Sequence, residues 1–259
     1  MYPKKVHLTC QDKYNIDNSM WTWCIHEYKK IYPDYEIIVY DNKDIYAIIE
    51  KYYKEYLPDI KKIKIGAVLA DIFRYLILYL EGGIYSDMDC LPLQSIDTLF
   101  DCTQPFFHND ENRLYKNRYF IHSCKTCILN NTNTNTYTCM GHQYIHKNTD
   151  VIVCYEFYPN QICQWFMISK PKQQVFLDCF LACMKNIRIL QNVNKYSPDY
   201  SDLVVTHSGP KLFTKMILQD TKSNIAILPE VFFCCGSNYN TVPITKSSYV
   251  KHYFMNSWR

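Results

Sequence analysis

The stretch ADIFRYLILYLEGGIYSDMDC, Ala70 to Cys90, decides how this chain is read. Its first half belongs to a helix, Ala67 to Glu81, whose apolar residues (Val68, Leu69, Ile72, Phe73, Leu76, Ile77, Leu80) surround nearly the whole circumference, and a helix that is apolar all round is buried. Asp71 and Arg74 interrupt it at i and i+3, on one shared face. A buried ion pair is close to energetically neutral and demands no function by itself. Gly82 and Gly83 then break the chain, a short strand follows, and Asp87 and Asp89 stand at i and i+2. That spacing sends both carboxylates to one side of an extended chain. Ligands of open α/β sheets bind beyond the carboxyl ends of the strands. Mg²⁺ or Mn²⁺ is held by one or two carboxylates with substrate phosphates completing the shell. Two Asp residues at a strand end therefore make half of a metal–diphosphate site. An isolated Asp-x-Asp is mostly a solvated turn; the charged buried helix and glycine break before this one set it apart.

Outward from this stretch, strand and helix alternate. KKVHLT (Lys4 to Thr9) reads as a strand, followed by a helix capped at Asp17 or Asn18 and ending near Ile31, before Pro33. YEIIVY (Tyr35 to Tyr40) is a buried strand, Lys43 to Tyr53 a helix, and Ala67 to Glu81 the helix above, with Gly82 as a left-handed cap. Downstream, Ile162 to Ser169 is expected as one strand and Lys172 to Leu190 as one helix. VTHSGPKLFTKMIL begins another helix, and NIAILP is a late strand. The alternation predicts an α/β fold with a mostly parallel central sheet flanked by helices. Residues 101–150, with NNTNTNTYT and no clear period, read as an irregular insertion within a single domain spanning 1–259.

Composition removes several alternatives. A formal net charge of +3 over 259 residues gives no reason to invoke nucleic acid or an anionic membrane. With six glycines there is no G-x-G-x-x-G and no phosphate-binding P-loop, which removes dinucleotide oxidoreductases and P-loop NTPases. The opening MYPKKVHLTCQ lacks the apolar core of a signal peptide, and no stretch reaches the roughly 18 apolar residues of a membrane span. Thirteen scattered cysteines without such a signal favour reduced thiols. The expected location is therefore cytoplasmic, with no membrane span.

The Ala70–Cys90 stretch closely resembles the sugar-binding core of glycosyltransferase family 32, most of all the branch of initiation-specific α-1,6-mannosyltransferases and related capsular enzymes. The likeness extends along the chain. YPKKVHLT is similar to the family's opening strand, YPDYEIIVYDNKD to its second, and QICQWFMISKP to the Gln-Trp segment after the metal site. SGPKLFT matches its Gly-Pro helix start, and VKHYFMNSWR its closing His…Ser-Trp. The resemblance implies a GT-A (Rossmann-like) nucleotide-sugar-binding fold and a retaining, metal-dependent hexosyltransferase. Its donor would be GDP-mannose or a UDP-hexose, its acceptor a glycan or protein-linked sugar hydroxyl, its cofactor Mn²⁺ or Mg²⁺. Thr9, Asp71 and Arg74 would bind the donor, and Asp87 the ribose, the sugar or the metal. Asp89 and His252 would be metal ligands, and Ser257 and Trp258 would close over the diphosphate. Gln164 would face the anomeric carbon and complete a catalytic set with Asp71, Arg74 and Asp87. Two departures stand out: Asn256 where the family usually carries Gly, and Lys172 to Gln174 where it carries Gly-His-Pro.

Other readings remain beside this one. A phosphatase with Asp87 as nucleophile leaves Asp71, Arg74 and the closing His…Ser-Trp without roles. A sugar-nucleotide-binding module that has lost turnover is motivated by Asn256. Cys124-x-x-Cys127 and Cys139-x-x-His142 have the spacing of a structural zinc loop. Trp165 reads as packing, and His207, ahead of Ser208-Gly209-Pro210, as an N-cap or an anion contact.

Overall fold

The parallel pairing of β1 (Lys5–Thr9) with both β2 (Glu36–Tyr40) and β3 (Gly83–Ser86) forms one half of the central sheet. These relations come from a computed structural model, which describes residues 2–16, 19–99, 149–157, 160–228, 230–235, 242–245 and 248–255. The other half is built on β5 (Val151–Phe157), with β6 (Gln161–Ile162), β7 (Phe166–Ser169) and β8 (Ile225–Leu228). The strand order is β2-β1-β3-β7-β5-β6, with β8 also on β5. β3 and β5 both run antiparallel to β7, and β8 runs parallel to β5. Five of the seven strands therefore point one way, and only β6 and β7 return. A separate two-stranded ladder pairs β4 (Cys90–Pro92) with β9 (Val250–His252).

Side-chain alternation along the strands divides the interior into two cores. Tyr85, Val151, Val153, Tyr155, Met167, Ile225 and Ile227 face one way. Ile84, Ile152, Cys154, Phe166, Ile168, Ala226 and Leu228 face the other. The first core is covered by α2 (Asn42–Tyr52), α4 (Gly66–Glu81), α5 (Gln174–Lys185), α7 (Tyr200–His207) and α8 (Pro210–Gln219). The second is covered by α1 (Ser19–Ile31) and α9 (Glu230–Phe233). Short turns α3 (Leu57–Ile60) and α6 (Ile187–Gln191) complete the helices. Helices on both faces explain why the strands read as continuous apolar runs. This is the mixed α/β fold expected, with its sheet flanked by helices.

The expected boundaries hold for most elements and fail at three places. Ile162 to Ser169 is not one strand. It forms β6 and β7 with a break at Cys163–Trp165, because the register against β5 slips between the Tyr155–Ile162 pair and the Ile152–Ile168 pair. Lys172 to Leu190 is two helices separated at Asn186, whose backbone N–H closes the first and whose carbonyl starts the second. α7 lies ahead of the Gly-Pro helix start, so His207 ends a helix and Gly209 is the N-cap. The candidate zinc set Cys124, Cys127, Cys139 and His142, and Ser257 and Trp258, lie outside the described residues.

Gly82 closes α4 at φ 66°, ψ −156°. This is an extended mirror conformation open to glycine rather than a left-handed helical cap. A Cβ there would stand 2.6 Å from the Pro171 nitrogen and 2.7 Å from the Ser169 carbonyl oxygen. The glycine lets the end of α4 cross directly under the end of β7. Lys172 adopts φ 64°, a left-handed backbone uncommon for a residue with a side chain.

Candidate functional site

Alternation in β3 places the first acidic residue. Tyr85 points to the α4 face, and Asp87, two residues on, returns to that face and meets Arg74. Arg74 Nη2 lies 3.1 Å from Asp87 Oδ1 and 3.3 Å from Asp71 Oδ1. Arg74 Nη1 donates to the Gln164 carbonyl at 3.1 Å, and its guanidinium lies 4.9 Å from the Tyr85 ring centre. Burial works against the guanidinium charge, and Asp87, Tyr85 and Asp71 more than offset it.

Asp71 is held from several sides. Its Oδ1 accepts from Gln164 Nε2 at 2.8 Å, and its Oδ2 from Ser208 Oγ at 2.8 Å. Gln164 sits in the β6–β7 break, and its Oε1 accepts from Tyr75 of α4 at 2.6 Å. Both ends of the Gln164 amide are thus engaged, and it positions Asp71 in this state. Burial raises the Asp71 carboxyl to about 6, with Arg74 and the Ser208 hydroxyl pulling the other way.

Asp87 is held on one oxygen only. Its Oδ1 accepts from Tyr85 Oη at 2.9 Å as well as from Arg74, and no hydrogen bond among the described residues reaches Oδ2. Because Tyr85 gives its one proton to the carboxylate, Thr9 Oγ1, 3.1 Å away, donates to Tyr85. Thr9 thus acts on Asp87 through the phenol. Burial raises the Asp87 carboxyl, and Arg74 opposes it.

Asp89 turns elsewhere. The strand has ended at Ser86, so the i, i+2 relation does not keep the two carboxylates on the same partners. Asp89 Oδ1 lies 3.1 Å from His252 Nε2, and Oδ2 accepts the Met255 backbone N–H at 2.9 Å. Burial would raise its pKa, but the His252 hydrogen bond and the Met255 N–H hold it below the usual carboxylate range. The β4–β9 ladder brings His252 here, pairing it directly with Cys90. Trp165 stacks on the imidazole at 4.4 Å and 25°. His252 is buried, yet its Nδ1 has no hydrogen-bond partner. A buried polar atom left unpaired is costly, and a carboxylate beside an imidazole is a donor set suited to a divalent cation. Asp89 and His252 therefore fit the expected ion. Asp87, through its open Oδ2, is the neighbouring carboxylate.

Residues 19–105 match the family described as glycosyltransferase sugar-binding region containing DXD motif. The resemblance to family 32 stands: this chain carries a glycosyltransferase sugar-binding region of the DXD type. The initiation-specific alpha-1,6-mannosyltransferase of Schizosaccharomyces pombe is 22% identical over 290 residues, covering 99% of this chain and 64% of that protein. Its counterpart from Candida albicans is 34% identical over 104 residues, 37% of this chain and 26% of that protein. The Saccharomyces cerevisiae counterpart is 29% identical over 163 residues, 58% of this chain and 32% of that protein. The chain thus spans between about a quarter and two thirds of the length of these relatives. Among solved structures, the galactosyltransferase LgtC aligns over 98% of this chain and 88% of its own at 10% identity, with a TM-score of 0.45. The PaToxG glycosyltransferase aligns over 84% and 69% at 16% identity, also with a TM-score of 0.45. These structural likenesses are distant, and the fold description rests on the sheet topology itself.

Four parts of the DXD-region site were not singled out from sequence. Tyr85 orients Asp87, Tyr75 orients Gln164, Ser208 secures Asp71, and the Met255 backbone N–H secures Asp89. Tyr85 was open to inference from its position two residues before Asp87. Ser208 was noticed only as part of a helix start, and nothing local in sequence links it to Asp71, 137 residues away.

Proposed function

We propose that this chain is a retaining, metal-dependent glycosyltransferase that moves a hexose from a nucleotide-diphospho-sugar to a hydroxyl of a glycan or other acceptor. GDP-mannose or a UDP-hexose is the donor. The observation that carries this reading is the division of labour between the two acidic residues: Asp87 is fixed by Arg74 and Tyr85 with one oxygen open, while Asp89 stands with His252.

In this reading Asp89 and His252 hold Mn²⁺ or Mg²⁺, which offsets the negative charge that grows on the departing diphosphate. Asp87 Oδ2 takes a ribose or sugar hydroxyl. Asp71 and Arg74 form the floor under the donor sugar, their orientation set by Gln164, Ser208 and Tyr75. A fixed set of charges of this kind stabilises the transition state without reorganising as the bond breaks. The carboxylates also favour the cationic character that the sugar gains. The departing phosphate accepts the acceptor proton on the same face, which keeps the anomeric configuration and asks for no additional side-chain nucleophile. Ser257 and Trp258 close over the diphosphate, the single domain spans the chain, and the protein works in the cytoplasm. Among the described residues no helix is long and apolar enough to cross a membrane.

A panel of nucleotide sugars incubated with Mn²⁺ tests the reading. Slow release of nucleoside diphosphate from at least one donor is expected, faster with a sugar acceptor, with the product anomer matching the donor by NMR. Asp89→Asn should lower turnover by orders of magnitude, because the charge stabilisation supplied at that site is worth several kcal/mol. Undiminished turnover in EDTA and in Asp89→Asn would remove the metal-dependent reading. Donor binding without release under any condition would leave the binding-module reading in its place.

A further inference from the structure

We infer that Cys90 is a third protein donor to the cation at Asp89 and His252, and that this site therefore prefers thiophilic divalent ions over Mg²⁺. The inference rests on the metal-dependent reading above and adds a ligand to it. Cys90 and His252 are direct cross-strand partners in the β4–β9 ladder. Residues directly opposite in an antiparallel pair project to the same face with their Cβ atoms about 4.5–5.5 Å apart. The Cys90 thiol, a carboxylate oxygen of Asp89 and a ring nitrogen of His252 all lie within 4.8 Å of one another.

Two further observations point to a ligand at this place. His252 is only 6% exposed, stacked on Trp165 with Phe254 tilted against it, yet its Nδ1 is unpaired, so either tautomer leaves a buried polar atom unsatisfied. Cys90 is fully buried; its thiol makes a long contact, 3.7 Å, to the Trp165 carbonyl and stands beside the Ser86 hydroxyl, both weak partners for sulfur. A thiol in that position has little to lose by turning to a cation. Sulfur and imidazole donors favour Zn²⁺, Co²⁺ or Cd²⁺ and suit Mg²⁺ poorly, since Mg²⁺ takes oxygen ligands in near-ideal octahedra. Mn²⁺ stands between these extremes. On binding, the sulfur–hydrogen bond gives way to a sulfur–metal bond, and the proton leaves to solvent.

Co²⁺ titration of the full chain, read both by equilibrium dialysis and by near-ultraviolet absorption, tests this without any turnover measurement. The expected result is Asp89-dependent uptake of the ion with a sulfur-to-metal charge-transfer band. The band should vanish in Cys90→Ser and Cys90→Ala and persist in Cys24→Ser, the nearby thiol of α1 whose environment also feels Asp89. Outer-shell ligand partners cost about 10–100-fold in affinity when removed, so loss of a direct ligand should weaken Cd²⁺ binding at least tenfold. Co²⁺ uptake that depends on Asp89 but shows no band in the wild-type chain overturns the role of Cys90 while leaving the metal site. So does a band that survives in both Cys90 variants, with folding checked by circular dichroism. Absence of any Asp89-dependent uptake overturns the metal reading itself, and the Cys90 assignment with it.

Discussion

At the scale of single residues, Arg74 is the pivot. It is 5% exposed, and it touches both Asp71 and Asp87. Arg74→Ala leaves the buried Asp71 carboxylate and the partly buried Asp87 carboxylate without their cation, and breaking a buried pair from one side costs about 3–5 kcal/mol. Chemical denaturation of that variant should show a loss of this size; a loss below 1 kcal/mol would contradict the network described. Asp71→Asn keeps hydrogen-bonding partners for Gln164 and Ser208, and its effect should depend on pH. The folded Asp71 carboxyl titrates at about 6, above its ordinary 3.8. Between those values the folded chain holds a proton that the unfolded chain has released. Wild-type stability therefore falls as pH rises through that window and is level above it. At ~1.4 kcal/mol per pKa unit the window is worth about 3 kcal/mol. The stability difference between wild type and Asp71→Asn should shift by about that amount in favour of the variant from pH 4 to 6.5. A constant difference would contradict the raised pKa. Asp71, Arg74, Asp87 and Asp89 stood out in the sequence, because charge on a buried helix and after a strand is conspicuous, whereas His252 stood out only through the resemblance to a known closing motif. Tyr75 and the Met255 amide were not, because a tyrosine and a backbone N–H carry no local mark of the partner they will meet.

At the scale of elements, the site depends on how segments end. α4 must stop where β7 stops, and Gly82 lets the two backbones meet. Gly82→Ala adds backbone strain of about 1–3 kcal/mol and an overpacking cost of about 1–3 kcal/mol. Its unfolding midpoint should fall accordingly, and a neutral result would contradict the close approach. Lys172 is the complementary case, a residue with a side chain at φ 64°, where glycine would carry no steric cost. Lys172→Gly should be neutral or up to about 1 kcal/mol more stable, and Lys172→Val less stable, since left-handed backbone costs L-residues roughly 1–2 kcal/mol. Equal stability of the two variants would contradict that strain. The helix and strand periods identified most elements, but not the β6–β7 break. ICQWFMIS is apolar apart from Gln164 and Ser169, and so nearly continuous an apolar run gives no sign of where hydrogen bonding lapses. That break matters to function: it frees the Gln164 carbonyl to accept Arg74 and turns the Gln164 amide to Asp71. Asn186, which divides α5 from α6, was likewise hidden inside a helical pattern.

At the scale of the whole molecule, the sheet's two faces meet the site from different sides. α4 on one face supplies Asp71 and Arg74. The β4–β9 ladder, which packs with the core on the other face, supplies His252 beside Asp89. Asp87 and Asp89 stand where the two contributions converge, past the end of β3. The α/β class and the order of segments were legible from alternation, whereas β9, three residues far along the chain, became visible only through its resemblance to a known closing motif. Its pairing with Cys90 is a long-range contact that no local pattern encodes. The most direct test of the convergence is a crystal of the protein grown with Mn²⁺ and a nucleoside diphosphate, examined by anomalous scattering. The account predicts a manganese peak bonded to Asp89 and His252, with Asp87 Oδ2 facing the nucleotide or the ion and diphosphate oxygens on the metal's open side. A manganese peak elsewhere, with His252 and Asp89 still bonded only to each other while the nucleotide is bound, would contradict it.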